Sequence, residues 1–109
     1  MLKQAIIVPM WLGMTPGKVA SQCCHVVAIA ASGAISSRFV DLPRIVLRVT
    51  TKKEISVLWQ KASLNGNIGC CRFKDSAPTT EDTANKFTAY CFTGRPEDLD
   101  PIFGHLELY

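Results

Sequence analysis

A chain of 109 residues holds one small domain, with room for a real core but not for a second one. With 48% of its residues apolar and 19% charged it is globular rather than disordered, and its apolar runs, broken by Lys18, Gln22, His25 or Gly33, fall well short of a bilayer span. The net charge of +3 permits an anionic partner but lies below the footprint of a dedicated nucleic-acid binder. Met1 is followed by Lys3 and Gln4, and the first apolar run stops at Pro9, which is no secretory signal and predicts a soluble, cytoplasmic protein.

The run KQAIIV (3–8) is apolar, β-branched and bounded by Pro9, which suits a strand covered on both faces. Thr15-Pro16 then supplies a hydroxyl cap and a proline at the first helical position, opening a helix that runs to about Ala31. Residues 33–43 form a connector with at most a short helical turn, closed by Pro43. RIVLRVTT (44–51) is a second strand with Ile45, Leu47 and Val49 on one face. Thr51 and Glu54 have capping-box spacing, opening a helix that buries Ile55, Leu58, Trp59 and Ala62 and ends at Asn65-Gly66.

IGCCRF (68–73) is a third strand, SAPTTEDTAN (76–85) a polar loop and KFTAYCFT (86–93) a fourth strand. A short helix within 95–104 starts at Pro96 with two acids. The order predicts a single α/β domain spanning 1–109, a three-layer α/β/α sandwich on a four-stranded mixed sheet. The cysteines at 23, 24, 70, 71 and 91 are odd in number, include two vicinal pairs and show no metal-finger spacing. They read as small buried hydrophobes in a reducing compartment, with no metal site and no cofactor.

The segment MTPGKVASQCCH (14–25) carries the chemistry. On a helix Gln22 lies about 40° from Lys18 and His25 about 20° to the other side, so the three share one stripe. The remaining positions are mostly apolar, which predicts a helix buried nearly all round apart from this polar line. Such a line is either the helix's wet edge or a satisfied polar site. Lys18 stands in the first turn, where the helix dipole favours an anion, and the loop after a strand's carboxyl end is the usual ligand crevice of an α/β sheet. If the third strand runs parallel to the first, KDSAPTT brings Asp75, Thr79 and Thr80 to the same edge. The Gly13…Gly17-Lys18 segment is no P-loop, because three residues separate the glycines and Val19 follows the lysine. Cys24 and His25 point about 100° apart on the helix, poor geometry for a thiolate–imidazole pair.

KQAIIV…LGMTPGKVASQCCH, IVLRV, FKDSAPT and the ending GHLELY resemble, in order and over most of the chain, the archaeal/eukaryotic-type (type two) peptidyl-tRNA hydrolase family. The resemblance implies a four-stranded mixed sheet between helices, a homodimer, and metal-free hydrolysis of the ester joining a peptide to the 3′ ribose of tRNA. It places Lys18, Gln22 and His25 on the family's first-helix site residues, and Asp75 and Thr79 on the aspartate and threonine of its loop. Pro9 and Trp11 stand where the family usually has an arginine and an aspartate, and Ala77-Pro78 where it has Gly-Arg. Losing an arginine removes a bidentate phosphate contact. The roles that follow are water orientation or base for Asp75, alone or through Thr79, oxyanion or phosphate binding for Lys18, substrate orientation for Gln22 and support for His25. The alternatives are a catalytically weak RNA-binding or scaffolding module on the same fold, and a hydrolase for an acyl ester without a tRNA body.

Overall fold

Residues 1–32, 42–75, 83 and 85–109 are described by a computed structural model. Strand β1 (Lys3–Pro9) leads through a 3₁₀ turn (Met10–Leu12) into helix α1 (Pro16–Ala31). There follow β2 (Arg44–Val49), α2 (Lys52–Leu64), β3 (Gly69–Lys74), β4 (Phe87–Gly94) and α3 (Pro96–Phe103). The sheet order is β2-β1-β4-β3. Strands β1 and β2 are parallel, and β4 is antiparallel to both β1 and β3, so β3 runs the same way as β1. The carboxyl ends of β1 and β3 therefore share one edge of the sheet. Most of the predicted connector, 33–41, and most of the polar loop, 76–82 and 84, lie outside the described residues.

The predicted caps are present. Thr15 accepts a hydrogen bond from the Lys18 backbone N–H and Pro16 opens α1. Thr51 Oγ1 accepts from the Glu54 backbone N–H at 3.1 Å, while the Glu54 carboxylate accepts from the backbone N–H of Thr50. The alternation of β1 divides the core into two layers. Ala5 and Ile7 join Leu47, Val49, Ile55, Leu58, Phe92, Leu99 and Phe103 beneath α2 and α3, with Trp59 packed edge-on to Phe92. Ile6 packs with Val26, Ala89 and Cys91 beneath α1.

Helix α1 corrects one expectation. It is buried along one side only, at Val19, Gln22 and Val26, while Ala20, Cys24 and Ile29 are exposed. It is the one described helix packed on its face of the sheet, so its far side meets water, and the wet edge is a line of small residues rather than the Lys18–Gln22 line.

Two further features lie beyond the predicted elements. The C-terminal tail lies along β2, bridging Leu108 to Leu47, with the Arg48 N–H donating to the Glu107 carbonyl and the Tyr109 N–H to that of Val46. This covers part of an exposed strand edge. In β4 the register shifts: Phe73 faces Ala89 but Lys74 faces Phe87, which leaves Thr88 as an extra, bulged residue.

Candidate active site

Asp75 follows directly on β3 and is 4% exposed. Its N–H donates to the Lys86 carbonyl at 3.0 Å and its own carbonyl accepts from the Asn85 N–H at 2.9 Å. Asn85 closes this clamp at φ 57°, a left-handed conformation that asparagine tolerates better than most residues. The Lys86 N–H donates to the Thr83 carbonyl, which holds Thr83 beneath the carboxylate. Thr83 Oγ1 then donates to Asp75 Oδ2 at 2.9 Å.

Lys18, in the first turn of α1, reaches across the shared sheet edge and places Nζ 3.0 Å from the same Oδ2. Both side chains are mostly out of water, at 15% and 6% exposure. A carboxylate suits the amino end of a helix, and it offsets the unfavourable placement of Lys18 there. Removing both charges from water, however, consumes most of what their attraction returns, so such a pair adds little net stability. Its presence at a strand's carboxyl end points to chemistry.

One turn further along α1, Gln22 is 3% exposed and accepts a hydrogen bond at Oε1 from Thr88 Oγ1. The bulge explains that contact. Without the extra residue Thr88 would alternate onto the α2 face, whereas the shifted register turns it toward α1. A further turn on, His25 is exposed and its ring lies flat on Phe73, with centroids 4.6 Å apart and planes 15° apart.

The fold thus brings Lys18, Gln22 and Asp75 to one sheet edge, with His25 stacked at its outer margin. Thr79 and its neighbour Thr80 lie outside the described residues. Thr83 and Thr88 are the residues that sequence reasoning missed. Thr88 did carry a signal: large residues at 87, 90 and 92 break strict alternation between 87 and 90, where a bulge must sit. Thr83 carried none that separates it from Thr79 and Thr80. Among the described residues no cluster of three or more His, Cys, Asp or Glu side chains could hold a metal ion.

Among the described residues, a mixed four-stranded sheet with one helix on one face and two on the other, and a lysine–carboxylate pair at its carboxyl edge, defines an α/β protein with a polar site on the sheet rim. The model of the peptidyl-tRNA hydrolase PTH2 family matches residues 2–109, and the chain belongs to that family. No curated protein matches the chain significantly. Among solved structures, a protein of unknown function from Agrobacterium tumefaciens strain C58 is similar, with a TM-score of 0.70 and 11% identity over 99% of this chain and 97% of that one. At that identity the likeness is one of fold.

Proposed function

We propose that the protein hydrolyses the ester between a peptide, or an N-acyl-aminoacyl group, and the 3′ end of tRNA by direct attack of water. The observation that carries this reading is the Lys18–Asp75 pair, shielded from water at the sheet edge and braced by Thr83 on the same carboxylate oxygen. Membership of the peptidyl-tRNA hydrolase PTH2 family supports the substrate class.

In this mechanism Asp75 accepts a proton from the attacking water as its oxygen bonds to the ester carbon. The carbonyl oxygen becomes an oxyanion stabilised by Lys18, whose ammonium has three donors and can serve both Asp75 and substrate. The bond to the ribose oxygen then breaks, and the proton held by Asp75 passes to that oxygen, releasing a free peptide acid and tRNA. Gln22, fixed by Thr88, orients the substrate, and His25 on Phe73 supports the outer wall. The same reading places the protein in the cytoplasm and takes it to act as a homodimer.

Purified protein should turn over N-acetyl-aminoacyl-tRNA, and Lys18→Ala should lower kcat about 10²–10³-fold, as loss of one oxyanion donor does. A folded wild-type protein that binds tRNA without turnover would favour the binding module instead. Unchanged turnover in Lys18→Ala would remove Lys18 from the mechanism.

A further inference from the structure

On the opposite face of the sheet from the Lys18–Asp75 pair, but at the same edge, lies a cleft of about 310 Å³. It is lined by Trp11 and Leu12 of the 3₁₀ turn, Lys52 at the start of α2, and Lys74, Lys86 and Phe87 around the β3–β4 end. All three lysines are exposed, and no carboxylate lines the cleft among the described residues. Elsewhere Lys3 pairs with Asp100, Arg48 with Glu107, and Arg95 with Glu97 and Asp98. Among the described residues, Lys52, Lys74 and Lys86 have no ion-pair partner. By contrast, the groove around Arg48 on the other side of α2 is lined by both Glu54 and Glu107.

The placement of these charges is costly to the fold. Lys52 and Lys53 occupy the first turn of α2, where the helix dipole disfavours a cation. Lys74 Nζ sits 5.5 Å from the Phe87 ring, and the Arg72 guanidinium lies 4.0 Å over that ring and 4.7 Å over Trp59. Cations and flat apolar surfaces thus alternate from the cleft, at Lys74, Phe87 and Trp11, to Arg72 and Trp59 beside it, the pattern that tracks a nucleic-acid strand by its phosphates and stacks its bases. The cleft is coupled to the reaction site through the backbone. Lys74 precedes Asp75, and Lys86 accepts the Asp75 N–H.

We infer that this cleft binds the single-stranded 3′ end of the tRNA substrate, with phosphates on Lys52, Lys74 and Lys86 and a base against Trp11. The inference rests on the hydrolase reading above for the identity of the strand. A polynucleotide crossing the sheet edge from this cleft carries its terminal ribose to the Lys18–Asp75 side.

The test is the affinity for deacylated tRNA as a function of salt, measured on the whole chain. Each lost phosphate contact should flatten the log Kd–log salt slope by about 0.7 and weaken binding about fourfold at 0.15 M salt. Lys52→Gln should show this change, and Lys52→Gln/Lys74→Gln/Lys86→Gln about three times the change in slope. Lys61→Gln removes an exposed lysine from the same helix away from the cleft and should leave the slope unchanged. If the triple variant, folded by circular dichroism, binds with wild-type slope and affinity, or if Lys61→Gln weakens binding as much as Lys52→Gln, the cleft does not hold the RNA. Wild-type turnover of N-acetyl-aminoacyl-tRNA, assayed alongside, separates the two claims. Lysine-dependent binding without turnover overturns the hydrolase reading alone, whereas turnover with lysine-independent binding overturns the cleft alone.

Discussion

The two faces of the sheet are built on different principles. Beneath α2 and α3 the buried side chains are almost wholly apolar and include the large rings of Phe92 and Phe103, 4.5 Å apart. Beneath α1 the buried apolar cluster is small, Ile6, Val26, Ala89 and Cys91, and around it sit Gln4, Gln22, Thr88 and the Asp75–Thr83 pair. The apolar face supplies hydrophobic burial, which scales with the area removed from water. On the polar face each hydrogen bond contributes little net but is expensive to leave unmade. The first face therefore governs whether the chain folds, and the second what it does once folded.

The largest expected effect tests the apolar face. Phe92 is fully buried on the central strand β4, so Phe92→Ala should lower unfolding free energy by about 3–5 kcal/mol in urea titration. Val26→Ala, its counterpart beneath α1, should cost about 2 kcal/mol. Equal losses would show that the two layers share the load and would undo the contrast.

Next is the charged pair. Lys18→Ala leaves a buried carboxylate without its ammonium and should destabilise the fold at neutral pH as well as slow turnover. Adding Asp75→Asn should recover much of that stability, because the buried negative charge is gone, while turnover stays lost. A double variant that regains activity along with stability would reduce the pair to a structural role.

Thr88→Val probes the bulge. It preserves shape but leaves Gln22 Oε1 without its donor, which should cost about 1–3 kcal/mol and raise KM through a loosened Gln22. A stable variant with unchanged KM would separate the bulge from the site.

The smallest effect is alkaline. Burial raises the pKa of the Cys23 and Cys70 thiols, and a hydrogen bond with Cys71 together with burial raises that of Cys91. The same hydrogen bond lowers that of Cys71. The three raised thiols stay neutral in the fold but ionise when unfolded, so the stability they contribute is complete below about pH 8.5 and is lost as pH rises beyond it. Cys71 acts in the opposite sense. The net expectation is a Tm that declines from pH 8.5 to 10, and a flat profile would contradict it.

Local rules written into the sequence marked most of the fold. Thr15-Pro16 and the Thr51–Glu54 spacing marked the starts of α1 and α2, and alternation at Ile45, Leu47 and Val49 marked the face of β2. Asp75 could be brought to Lys18 only on the condition that β3 runs parallel to β1, and the two antiparallel pairings through β4 meet it. The features not read out depend on pairing between distant strands. The Thr88 bulge is a matter of register against Phe73 and Lys74, and the Leu108 bridge joins the tail to Leu47 of β2, far back in the chain. The buried side of α1 is not legible in the sequence because its composition is apolar nearly throughout, and only the position of the sheet decides which side is wet.

The proposed hydrolysis turns on the carboxylate at position 75 handling the attacking water. The most direct measurement is the single-turnover rate of N-acetyl-aminoacyl-tRNA hydrolysis by Asp75→Asn at saturating enzyme. Asparagine keeps the size of the side chain and an oxygen for Thr83, but is not basic. The variant should react at least about 10²-fold more slowly than wild type, as expected for loss of a general base. A rate within a few-fold of wild type would contradict it.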